Sequence, residues 1–141
     1  MTRSSDRASW RVVTPVGGAI AIIEVIGSPD SIDRLLGRLG APGLRPIQRR
    51  VVQAFGLDDA VVVRWSDRVA HVMVHAGPGL LAEMARALRD AGAEQASEVR
   101  AAWPEARDDL ERHLLEAMAF SASPRAVDAL LVHAERWRKG C

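Results

Sequence analysis

Two apolar segments punctuated by glycine and proline constrain the fold of this chain more than any other feature. They are Thr14-Pro-Val-Gly-Gly-Ala-Ile-Ala-Ile-Ile-Glu-Val-Ile-Gly27 and Val69-Ala-His-Val-Met-Val-His-Ala-Gly-Pro78. Both are rich in β-branched residues and far shorter than the roughly 20 apolar residues that span a bilayer, so they predict strands and no membrane segment. In the first, Ala19–Ile26 is a nearly continuous apolar run after the Gly17-Gly18 turn, the pattern of a central strand buried on both faces. Glu24 is its one exception. The second strand, Val69–His75, passes straight into a helix opened by Gly77-Pro78, with Leu80, Leu81, Met84 and Leu88 at helical spacing and Gly92 after its end.

Between these landmarks the punctuation is equally readable. Ser28-Pro29 opens a helix whose Ile32, Leu35, Leu36 and Leu39 form one stripe, stopped by Gly40 and Pro42. A loop over 41–49 leads to strands at Arg50–Phe55 and Ala60–Trp65, turned at Gly56-Leu57-Asp58-Asp59, and Ser66-Asp67 connects to the second landmark. Trp10–Val13 reads as a short strand, and another lies within Ala93–Val99. Trp103-Pro104 and Ser123-Pro124 open two last helices, with Leu110, Leu114 and Ala117 or Met118 inward in one and Val127, Leu130, Leu131 and Ala134 in the other. The order β-β-α-β-β-β-α plus two helices predicts an α+β fold: a mixed β-sheet with helices packed mainly on one face, followed by C-terminal helices. We expect a disordered polar leader over 1–9, a domain over 10–120 and a helical extension over 121–141.

The chemistry expected of the chain is limited by what is missing. Its 19 basic residues, of which Lys139 is the only lysine, are interspersed with 18 acidic ones, so direct tRNA or other nucleic-acid contact is not expected. Cys141 is the single cysteine, which excludes an intrachain disulfide and a multi-cysteine metal site. The polar start carries no secretory signal pattern, and a cytoplasmic location is expected. A phosphate-binding loop needs Gly-Lys-Ser/Thr after a glycine-led run, and the lone Lys139-Gly140 does not supply it, so no GTP site is expected. No nucleophile elbow organises a catalytic triad, and no catalytic residue is assigned.

Three residues stand out against this background. His71 and His75 are four apart on one strand and share a face, but a metal would need a third ligand from His113 or His133; no metal is expected. The bland alternative for His71 is a half-buried side chain paired across the sheet. His75 stands where a strand hands over to a helix N-terminus, a place suited to an anionic or carbonyl group. Glu24 must face solvent at the strand's open end, pair with an arginine such as Arg64, or line a cleft, because an unpaired buried carboxylate costs several kcal/mol.

Taken together and in order, Thr14-Pro15-Val16-Gly17 leading to Ile26-Gly27, and His75-Ala76-Gly77-Pro78 leading into a helix, resemble the amino-terminal domain of the MnmE (TrmE) tRNA-modification GTPases over about residues 12–92. Residues 123–137 are faintly similar to the start of that family's helical domain. The resemblance implies a fold like that of tetrahydrofolate-binding domains, a homodimer, a GTPase module in cis, a flavoprotein partner and a role in modifying the tRNA wobble uridine. Carried onto this chain, the positions implied for cofactor recognition are Glu24, His71, His75 and Gly77. Glu24 replaces the arginine usual in the family's first long strand, and His71 replaces an acidic residue. The Pro-Gly-Glu-Phe block that follows the second helix in the family has no clear counterpart. These departures also admit a degenerate dimerisation scaffold that has lost its folate.

Overall fold

The computed structural model describes residues 6–14, 17–97, 103–121 and 123–140. The chain divides into two compact units, Met1–Arg100 and Ala101–Cys141. The first holds β1 (Ser9–Val12), β2 (Ile20–Ile26), α1 (Pro29–Leu39), β3 (Gln48–Ala54), β4 (Asp58–Arg64), β5 (Val69–His75), α2 (Pro78–Asp90) and β6 (Glu94–Gln95). The second holds α3 (Asp109–Ala119) and α4 (Pro124–Arg138). The sequence reading drew its boundary at 120/121; in the structure α3 groups with α4.

The six strands form one mixed sheet in the order β3-β4-β5-β2-β1-β6, antiparallel throughout except for the parallel β1–β6 pair. β2 is interior, but it is not buried on both faces as its apolar run suggests: Ile20 is exposed and Ile22 and Ile26 are half-buried, because α1 and α2 both lie on the other face. Period-two alternation sends Ala21, Ile23 and Val25 of β2, Ala60 and Val62 of β4, and Ala70, Val72 and Val74 of β5 into one buried cluster. Ile32, Leu35, Leu36 and Leu39 of α1 and Met84 and Leu88 of α2 complete that cluster, so both helices cover the same face of the sheet.

Local chemistry fixes the joints. Ser28 caps α1 by accepting from the Ser31 amide, Pro29 occupies its first turn, and Gly40 ends it in the left-handed region. A side chain at Gly27 would lie 2.4 Å from Ser31 Oγ and 3.0 Å from the Ala8 backbone, so only glycine lets the N-terminal segment pass there. Arg64, buried at the end of β4 on the helix-covered face, donates to Asp33 of α1 and to the carbonyls of Leu44, Ser66 and Asp67.

Four expectations change. The β3–β4 turn is centred on Phe55-Gly56, both at positive φ (51° and 70°) and closed by Leu57 N–H donating to Ala54 O; this primed turn matches strand twist, and it puts Asp58 inside β4. Residues 1–5 of the expected leader lie outside the described residues; of the rest, Ala8 is buried and Ser9 begins β1. The short strand expected within 93–99 is present as β6, with 98–99 outside the described residues, whereas the helix expected to open at Trp103-Pro104 begins only at Asp109, where the Asp108 side chain caps it by accepting from the Glu111 amide. Finally, α3 buries none of its residues, and Leu110 and Leu131 are exposed: a helix pair has too few layers to enclose an apolar stripe. Among the described residues no helix is long and apolar enough to cross a membrane.

Candidate functional site

The sheet's second face, opposite α1 and α2, carries the residues of interest. Register sets Arg49 beside Val63, Val63 beside His71, His71 beside Glu24 and Glu24 beside Arg11, a lateral row across five strands. The next row is apolar: Val51, Val61, Met73 and Ile22. A residue on a pleated strand meets its direct cross-strand neighbour first, so the row's chemistry is set by pairing and not by chain proximity.

Glu24 is fully buried at the centre of its row. Its Oε1 accepts from Arg11 Nη2 at 2.6 Å and Nε at 2.9 Å, while Oε2 lies 3.2 Å from Nε2 of the buried His71. An ionised carboxylate only accepts, so the Nε2–H tautomer of His71 donates into it. The His71 ring meets Trp65 in a T-shaped contact, with centroids 5.9 Å apart. Of the alternatives open for Glu24, the open strand end is excluded and the arginine is Arg11, not Arg64, which projects from the opposite face. Glu24 and Arg11 also border a cavity of about 330 Å³ together with Ser9, Ile26 and Ser97.

His75 and Gly77 form a separate place. Four residues along a strand is about 13 Å, so His75 lies well away from His71 on the same face. Its backbone amide donates to Asp58 Oδ2 at 2.9 Å, and its ring Nδ1 lies 2.9 Å from Asp58 Oδ1. The backbone hydrogen bond from His75, followed by the side-chain one, holds the Asp58 carboxyl below the ordinary value of 3.8. Gly77 is the N-cap of α2 without a side-chain cap, and a Cβ there would meet nothing within 4 Å. Unlike Gly27, it is not demanded by the packing of the chain.

The structure therefore splits the four predicted positions into two pairs, Glu24–His71 and His75–Gly77. It does bring the two sequence landmarks together: Ile20 is in register with His75, and the Ala76 amide donates to Ala19 O at 3.0 Å. Thr14 has a structural task, its hydroxyl accepting from the Ile22 amide at 3.1 Å. The sequence reading missed Arg11 and Asp58. Arg11 was accessible in principle, since folding the Trp10–Val13 strand back on Ile20–Ile26 sets a basic residue opposite the lone acid. Asp58 was hidden by the misplaced turn.

Among the described residues no group of three or more His, Cys, Asp or Glu side chains is arranged to hold a metal. A folate headgroup recognised through an acid would need a carboxylate with unspent charge. Glu24 is balanced by Arg11 and fixed on its other oxygen by His71, so these residues do not fit that role. The chain matches no family model and no curated protein.

Proposed function

We propose that this chain is a divergent counterpart of the MnmE (TrmE) amino-terminal domain, acting as a non-catalytic homodimerising scaffold that has lost folate binding. The observation that carries this reading is the closed Arg11–Glu24–His71 row, which occupies with internal pairing the strand positions implied for ligand recognition. The ancestry is supported by element order and by the meeting of the two landmarks at Ala19–Ile20 and His75–Ala76. In this reading the domain works in the cytoplasm as a platform for a GTPase module and a flavoprotein partner linked to wobble-uridine modification, and carries no GTP site of its own.

A second reading, retention of a tetrahydrofolate derivative, is favoured by one feature: Gly77 opens α2 with empty space where a Cβ would stand, next to His75. Two measurements separate them. Light scattering on the purified chain should give a dimer, and calorimetric titration with 5-formyl-tetrahydrofolate should give no saturable heat. Saturable heat that disappears in Gly77→Val would establish the second reading in place of the first; a monomer at all concentrations would remove the scaffold proposal.

A further inference from the structure

Where α1 hands over to β3, Arg45-Pro46-Ile47-Gln48 closes a β-turn: Gln48 N–H donates to Arg45 O at 3.1 Å, and Gln48 Oε1 accepts from the Arg45 amide at 3.1 Å. Proline cannot take positive φ at the second position, so φ of 63° at Ile47 makes this a type II turn. That third position belongs to glycine or asparagine; a β-branched residue there is a genuine outlier. Burial does not compensate, because Ile47 is 79% exposed. The chain keeps a strained isoleucine where the fold itself would be better served by glycine, and persistent strain of this kind marks function.

The strand that follows is the outermost of the sheet, with β4 on one side and no strand partner on the other among the described residues. Arg45, Arg49 and Arg50 are exposed along this border, and none forms an ion pair among the described residues. Val51 is 70% exposed between them and the strand end. A border merely protected against aggregation carries charge at its outward positions, without an exposed valine and a strained isoleucine.

We infer that the β3 border is a docking surface for an extended acidic segment of a partner protein, added as a further strand with Ile47 and Val51 as its apolar anchors. The bare strand edge supplies main-chain hydrogen bonds, and alternate side chains supply selectivity. The three arginines select acidic residues by charge complementarity. A second copy paired antiparallel about Val51 would set Arg49 opposite Gln53 and Arg50 opposite Val52, leaving the arginines without acidic partners. Nucleic acid would use the arginines but leave Ile47 and Val51 without a role.

The test uses the whole chain and fluorescence anisotropy with three labelled probes: an alternating Glu-Val heptapeptide, its Lys-Val counterpart and a short oligouridine. The Glu-Val peptide is expected to bind at least tenfold tighter than the Lys-Val peptide. Ile47→Gly, which relieves the strain, is expected to raise Tm by about 5 °C and yet weaken the acidic peptide at least fivefold. The double variant Arg49→Glu with Arg50→Glu should abolish the preference for acid. Equal binding of the two peptides overturns the inference. So does Ile47→Gly raising Tm with peptide affinity unchanged, or oligouridine binding tighter than the acidic peptide in wild type.

Discussion

The two faces of the sheet obey different rules. The face under α1 and α2 is built from Ala, Val, Ile, Leu, Met and Trp10, and its one buried charge among the described residues, Arg64, sits at the rim serving carbonyls and Asp33. The second face places a fully buried carboxylate at its middle, held by an arginine and a histidine from the two flanking strands. On the first face, identity is set by volume and any apolar residue of similar size serves. On the second, the buried carboxylate is tolerable because Arg11 and His71 each meet one of its oxygens. Strands of similar apolar appearance thus conceal one face specified by packing and one specified by charge pairing.

The largest expected effect lies on the second face. Glu24→Ala leaves Arg11 and His71 without the anion between them and should cost about 4 kcal/mol in chemical unfolding. Replacing the row together, Arg11→Met with Glu24→Leu and His71→Phe, should recover most of that loss, since an apolar row has no charge to satisfy; failure to recover would mean that packing, not pairing, governs this face. Next comes the helix-covered face, where Ile23→Ala should cost about 3 kcal/mol through lost burial and the cavity left behind. Unlike the charged row, no second substitution that adds or removes charge should rescue it.

These differences also explain what was legible in the sequence. Element order and the core-facing residues of α1 and α2 could be read because periodicity and glycine or proline punctuation are local signals. The partner of Glu24 could not be read in the same way, because it depends on the β1–β2 register, which no local signal states. His71 was legible as a cross-strand residue, though it is fully buried instead of half-buried. Asp58 was lost because Phe55 takes positive φ, against its own propensity, and moves the turn by two residues. Leu110 was expected inward on its heptad-like spacing, and it is exposed because amphipathic spacing describes a helix's preference and not the presence of a layer to cover it.

Two smaller effects sharpen the contrast. Ile47→Gly, outside both buried faces, should stabilise the fold by about 1 kcal/mol in urea unfolding by removing a left-handed β-branched residue. The smallest concerns Asp58, whose carboxyl is held below its ordinary value by His75. A depressed carboxylate adds stability that is present above its unfolded value and lost as pH falls through the folded one. The stability gap between wild type and Asp58→Asn should therefore be constant near neutrality and shrink only below about pH 4. A gap that already shrinks at neutral pH would contradict this assignment to the Asp58 carboxyl.

The most direct test of the charge-paired face is a double-mutant cycle between Arg11 and Glu24, read by urea unfolding of wild type, Arg11→Ala, Glu24→Ala and the pair. The account predicts a coupling energy of about 2 kcal/mol or more, the double variant losing far less than the two single losses added. A coupling near zero would show that Glu24 is satisfied without Arg11, and that its carboxylate is held for something other than its neighbours.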